Sequence, residues 1–334
     1  MAAAHHTTEV KKAKLRSNSL DMLRAAAILL FVFYHVLVTM VPEERIPFFL
    51  RYNQGPVLLF GDLIAPAFSF ILGAALFFSY ANSEDRGWKF FRRKALSFIG
   101  VLALGLFLDS FSCGMQGWPC LKWGVLQWLG AGGIVALLFM RFPLALRLLA
   151  FVFLLAAYAQ RDSYILQSQL PWQEWAYAAS TTLEFGIISV FGAIAAEIYS
   201  RRKSGLAILS LALLIAGVCF AQSIPINKVD GSVTFLMVSA AISGILWWLL
   251  SGFDRGIPKL VEFISRNSLV LWVLQYVLMW GPMTVFGLWG KISLGFFSGL
   301  VISIAALPVF VMAARFWVQK AKPKLESIAS GKKS

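Results

Sequence analysis

Residues 20–37 read LDMLRAAAILLFVFYHVL, and this stretch decides the fold. It is the first long apolar run and has the length of a membrane-spanning helix, yet Arg24 and His35 lie in its body. Ionisable side chains inside a bilayer are costly, so they face a polar interior and mark candidate functional sites. Eleven steps of roughly 100° return a helix to within about 20° of its start, so the two side chains share one face, about 16 Å apart along the axis. Arg24 is therefore expected at one membrane surface and His35 at or past the midplane. The other histidines, His5 and His6, belong to a polar N-terminal tail. His35 is the one candidate for histidine chemistry within the membrane.

The rest of the chain fits that start. Its 334 residues are 59% hydrophobic and 14% charged, against roughly 25% charged in soluble proteins. The apolar residues fall in many separate runs, which predicts an all-α polytopic membrane protein. A net charge of +14 raises the question of nucleic acid, but the Lys and Arg collect between apolar runs. That is the pattern of cytoplasmic loops facing anionic lipid, and it argues against a nucleic-acid partner.

At about 20 residues per span, ten transmembrane helices are expected, at roughly 21–41, 61–81, 95–111, 122–140, 144–160, 181–199, 205–222, 232–251, 267–282 and 293–317. This arrangement puts 24 of the 30 Lys and Arg on the N-terminal side and six on the other: Arg45, Arg51, Lys122, Arg161, Lys228 and Lys291. Both termini are thus expected to be cytoplasmic. Residues 1–19 read as a disordered tail, 20–318 as one transmembrane domain and 319–334 as a basic tail. The first run resembles a signal peptide but is too long and lacks a small-x-small cleavage site, so it reads as uncleaved. Gly281-Pro282 is expected to break the ninth span. Short loops favour a bacterial cytoplasmic membrane over an organelle. Oligomeric state is left open.

Three of the outside loops stand out. Residues 42–60 contain Pro42, Pro47, Asn53, Gly55 and Pro56 and read as an interfacial or re-entrant segment. Trp172, Trp175 and Tyr177 form an aromatic belt or a sugar-stacking surface. Cys113 and Cys120, with Gly114, Gly117 and Pro119 around them, are placed to form a disulfide in an oxidising compartment, free thiols being the alternative. Cys219 is expected to be buried within a span.

A neutral imidazole, with a reference pKa of about 6.5, can take a proton from an alcohol or amine attacking a carbonyl. His35 fits that role, though a histidine bonded within a bundle can also simply tune packing. Arg24 suits a phosphate group or a helix-local pair with Asp21, and a snorkelling anchor is the plain reading.

These residues also carry a resemblance. Leu20-Asp21-x-Leu23-Arg24, ten residues and then His35 resembles the R-x10-H signature of the acyltransferase-three family of membrane acyltransferases. Further motifs resemble the related heparan-alpha-glucosaminide N-acetyltransferase-like proteins: Gly61-Asp62-Leu63-x-x-Pro66-x-Phe68-x-Phe70-x-x-Gly73, Gly124-Val125-Leu126-Gln127 and Pro225-x-Asn227-Lys228. Arg266-Asn267-Ser268-Leu269 resembles a helix start common to both groups. The resemblance covers roughly residues 18–280. It implies that acyl-CoA, with acetyl-CoA foremost, binds from the cytoplasmic side, and that a hydroxyl or amine outside, usually on a sugar, accepts the acyl group. Two departures stand out. The loop after the first span has Arg51, Tyr52 and Asn53 where the lysosomal branch carries a histidine, which returns the catalytic role to His35. Gln275 stands where a histidine often follows the N-S-L motif.

The remaining candidates follow from local chemistry. Asp62 opens the second span, where a helix N-terminus favours a carboxylate; it can orient His35 or the acceptor, or serve as a cap. Pro66 and Gly73 either thin that helix beside a cavity or pack against a neighbour. Asn53, Gln127, Asn227 and Lys228 are candidates for holding the acceptor, with Gln127 a donor to a developing oxyanion and Lys228 a partner for Asp230. Arg24, Arg92, Arg93, Asn267 and Ser268 are candidates for CoA phosphates, with solvated charge and helix capping as the plain readings; Lys94 belongs to the same basic cluster. Glu184 lies deep in the sixth span. No zinc, haem or phosphate-loop pattern is present, so no metal is expected. The competing class is a transporter or flippase without covalent chemistry, which ten spans and an intramembrane charge also suit. An inactive relative serving as a scaffold is a third reading.

Overall fold

A computed structural model describes residues 17–51, 58–114, 124–160, 173–228, 231–286, 288, 291–321 and 323. Among them there are helices and turns and no strand, as expected where backbone polar groups must be satisfied without water. The helices are α1 (Asn18–Met40), α2 (Ile64–Ala81), α3 (Trp88–Gly114), α4 (Val125–Phe139), α5 (Leu144–Ala159), α6 (Gln173–Arg201), α7 (Lys203–Phe220), α8 (Val233–Leu250), α9 (Lys259–Arg266), α10 (Ser268–Gln275), α11 (Gly281–Val285) and α12 (Phe296–Phe316). Among the described residues, six stretches are long and apolar enough to cross a membrane: Asn18–Met40, Phe60–Ala81, Thr182–Arg201, Lys203–Phe220, Val233–Arg255 and Phe296–Ala321. Shorter apolar helices lie at Val125–Phe139, Leu144–Ala159 and Ser268–Met283. The protein is thus an all-helical membrane protein, with six helices of spanning length and three shorter apolar ones among the described residues.

Burial sorts these helices into centre and rim. In Thr182–Arg201 83% of the apolar window is buried, against 22% in Lys203–Phe220 and 17% in Phe296–Ala321. The rim carries Phe107, Leu249 and Phe297, all largely exposed, an apolar belt matched to lipid. Cys219 belongs to this exposed rim. The sequence reading buried it because an apolar run does not say which face looks outward.

Contact at the centre depends on missing side chains. A Cβ on Gly73 of α2 would lie 1.7 Å from the Ser189 carbonyl oxygen of α6, and one on Gly192 would lie 2.1 Å from the Phe70 oxygen. The two backbones touch, so the packing reading of Gly73 holds. Pro66 is in the first turn of α2, where its missing N–H is no loss, and the helix runs on without a break.

Gly281-Pro282 does not break the chain either. Residues Tyr276–Trp280 widen into a π-helical turn between α10 and α11. The wider turn absorbs the hydrogen bond and the space that proline denies an α-helix.

The start of α1 is fixed firmly. Ser17 caps it by accepting from Leu20 N at 3.2 Å. Asp254 accepts from Ser19 N at 3.0 Å, from Lys203 Nζ at 2.6 Å and from the Tyr199 hydroxyl. The Trp247 indole donates to Ser19 Oγ at 2.9 Å. This network holds the helix that carries Arg24 and His35.

Candidate active site

One face of α1 runs alongside the segment from α9 to the π turn. The Arg24 guanidinium donates to Asp21 Oδ1 at 3.2 Å and to Ser265 Oγ of α9 at 3.4 Å. Two turns on, the Phe31 ring stacks on Trp272 of α10 at 3.8 Å between centroids. One turn further, the His35 ring meets Trp280 of the π turn edge-on at 5.1 Å. The shared face expected from the eleven-residue spacing is therefore built. Arg24 is helix-locally paired with Asp21, as one reading had it, and also faces open space.

That space is a cavity of about 930 Å³, open solvent included. Arg24, Lys94, Ser97 and Ser268 supply its polar groups; Ile71, Leu72, Val101, Leu126 and Leu129 are among its apolar walls. Two cations at the mouth of an apolar cleft suit a ligand with an anionic head and an uncharged arm. Its deep end is aromatic, formed by Phe68 and Trp272. Phe31 stands behind them, 5.9 Å from Phe68 and edge-on to His35 at 4.0 Å. Such ring pairs are worth about 0.5–1.5 kcal/mol each beyond their buried area. His35 thus sits one ring beyond the end of the cavity.

The far side of that ring is wired rather than open. His35 lies close to the Phe31 carbonyl, the Gln275 carboxamide and the Lys228 ammonium. Its Nδ1 is buried, and no hydrogen bond of ordinary geometry closes on it or on the fully buried Gln275 side chain. A neutral imidazole always keeps one nitrogen as an acceptor. Asp62 is 1% exposed and takes Lys228 Nζ at 3.0 Å, while its other oxygen accepts from Leu59 N at 3.0 Å. Asp62 therefore caps its own turn and also holds a lysine that sequence had offered to Asp230. Asp230 lies outside the described residues, as does Asn53.

The turn presenting Lys228 needs a glycine. Gly231 has φ +59°, the left-handed region open to glycine at little cost, and a Cβ there would stand 2.4 Å from Glu184 Oε2. Ser232 donates through its N–H to the Asn227 carbonyl at 2.8 Å, and its Oγ accepts from Asn227 N at 3.0 Å. Asn227 is thus tied through its backbone. Glu184 accepts from the Tyr158 hydroxyl at 3.5 Å.

Other candidates are placed differently. Gln127 is fully buried and donates to Asp109 Oδ2 at 2.8 Å. Asp109 also accepts from the Tyr276 hydroxyl at 3.0 Å, tying α3 and α4 to the π turn. Asn267 donates to the Phe263 carbonyl at 2.8 Å, closing α9, and makes no side-chain cap for α10; Ser268 beside it lines the cavity. Arg92 and Arg93 are exposed, and the cavity takes Lys94 instead. Consecutive residues point 100° apart on a helix, and nothing in the sequence marked which one turns inward. Asp109, Tyr276 and Trp272 were missed altogether. Asp109 interrupts an apolar run, which is the signal that could have found it.

The family model of the heparan-alpha-glucosaminide N-acetyltransferase catalytic domain matches residues 16–185, about half of the chain. The chain belongs to this family. No curated protein matches it. The matched portion of this N-acetyltransferase-like chain carries Arg24, His35, Asp62, Lys94, Asp109 and Gln127. Lys228, Trp272, Gln275 and the π turn lie beyond it. Membership makes the chain a membrane transferase of the acyltransferase superfamily. Among the described residues, no group of three or more His, Cys, Asp or Glu is arranged to hold a metal ion.

Proposed function

We propose that residues 20–318 form a ten-span acyltransferase of a bacterial cytoplasmic membrane, with both termini cytoplasmic. It moves an acetyl group from cytoplasmic acetyl-CoA to a sugar hydroxyl or amine on the opposite face. The observation that carries this reading is the cavity that starts at Arg24 and Lys94 and ends one ring short of His35. Arg24 and Lys94 suit the phosphates of CoA, and the apolar walls suit its pantetheine arm, which would bring the thioester toward the aromatic end.

In the transfer, His35 takes the proton of the acceptor O–H or N–H as that atom bonds to the thioester carbonyl carbon. The C–S bond then breaks, and the thiolate leaves with the proton returned by His35. Gln275 beside the ring is suited to holding its orientation, and the fixed Asp62–Lys228 pair to an acceptor carrying hydroxyl or anionic groups. Holding both reactants at the two ends of one helix face turns a bimolecular reaction into a positioned one.

The test is release of free thiol from acetyl-CoA by purified protein in proteoliposomes, with envelope glycan supplied on the opposite face. Thiol release that needs His35 and the glycan is expected. Glycan movement across the membrane without thiol release would instead establish the transporter reading.

A further inference from the structure

Between the cavity and His35 stands a wall of three rings. Trp272 stacks on Phe31 at 3.8 Å with 25° between planes, Phe68 is edge-on to Trp272 at 5.5 Å, and Phe31 is edge-on to Phe68 at 5.9 Å. Trp272 and Phe68 line the cavity, while Phe31 carries His35 on its far edge. The ring contacts that lead from the cavity to His35 along this face of α1 run through Trp272 or Phe68 and then Phe31.

Trp272 is the one ring of the three that carries a polar group. Its indole N–H is buried and makes no hydrogen bond of ordinary geometry, although it faces the Tyr276 hydroxyl one turn on. Tyr276 is itself fixed to Asp109 at 3.0 Å. The indole therefore leans on an anchored residue, which holds the ring between the cavity and Phe31.

We infer that Trp272, backed by Phe31 and Phe68, sets the length of acyl chain that can be presented to His35. This rests on the acyltransferase reading above. For the thioester carbonyl to reach His35, the acyl carbons beyond it must lie among these rings. The pantetheine arm already occupies the cavity behind, so the chain cannot fold back. A methyl group asks the least room of the Trp272 and Phe68 rings, and each further methylene meets a ring face. The transfer step is unchanged by this selection: one C–O or C–N bond forms, one C–S bond breaks, and the proton passes through His35 to the departing sulfur.

The experiment compares acetyl-, butyryl- and octanoyl-CoA with the full chain in nanodiscs, read as thiol release with glycan acceptor. Variants are Trp272→Ala, Trp272→Phe and Phe68→Ala, each checked for monodisperse elution. The octanoyl-to-acetyl ratio of kcat/KM is internal to each variant and so does not depend on its yield. Apolar pockets discriminate by roughly 10–200-fold per methylene at best. A wild-type ratio below about 0.01 is expected, rising at least about tenfold in Trp272→Ala and in Phe68→Ala, and staying near wild type in Trp272→Phe. A wild type that uses octanoyl-CoA as well as acetyl-CoA would overturn the inference. So would an unchanged ratio in both folded alanine variants. Absence of thiol release from every donor would remove the acyltransferase reading and this inference with it, which separates the two failures.

Discussion

The two ends of the α1 face differ in how they use polar groups. Around Arg24 there is space: a cleft of about 930 Å³ with few polar groups at its rim. Around His35 there is little space and much wiring: Asp62 with Lys228, Asp109 with Tyr276 and Gln127, and a turn closed by Gly231. An open cleft suits a long donor that enters and leaves. A preorganised polar end suits chemistry, because fixed dipoles need not reorganise as charge develops. Three rings stand between the two ends.

Substitutions can break or sharpen this contrast, beginning with the scaffold both ends share. Gly73→Ala would drive a Cβ into the Ser189 carbonyl at 1.7 Å, so loss of folded protein is expected, read as membrane yield and elution profile. Normal yield would show that α2 and α6 are not in backbone contact. At the wired end, His35→Ala is expected to lower kcat by about 10²–10⁴ with folding intact, measured as glycan-dependent thiol release.

Asp62→Asn removes the carboxylate that meets Lys228 Nζ at 3.0 Å. Removing one partner of a fully buried pair costs about 3–5 kcal/mol; with Lys228 26% exposed, about 2 kcal/mol is expected, seen as a lower unfolding midpoint. At the open end the effects are smaller and confined to the donor. Lys94→Ala is expected to raise the KM for acetyl-CoA about 3- to 10-fold, while Arg92→Ala changes it by less than about twofold. Equal effects at the two positions would remove Lys94 from the cavity mouth.

Much of this was legible in the sequence. Apolar runs and the loop bias of Lys and Arg point to the membrane and to the helices, because lipid admits few alternatives. The spacing of Arg24 and His35 put both on one face, since helix geometry is periodic. Pairings between distant segments were not legible. Lys228 reaches across to Asp62, and Gln127 turns to Asp109, because tertiary packing decides which of several polar neighbours comes within reach. Gly281-Pro282 reads as a break because proline denies an α-helical hydrogen bond. The chain instead inserts a π turn, and that turn sets Trp280 against His35.

The most direct measurement is the binding and turnover of acetyl-CoA by wild type, Arg24→Gln and His35→Ala, each as full-length protein in nanodiscs. If donor grip and chemistry sit at opposite ends of one helix face, His35→Ala binds acetyl-CoA within about twofold of wild type and does not turn it over. Arg24→Gln binds about tenfold more weakly, in line with the loss of one charged hydrogen-bonding group, and keeps measurable kcat. Loss of binding in His35→Ala, or full-strength binding with no turnover in Arg24→Gln, would contradict the division of labour along α1.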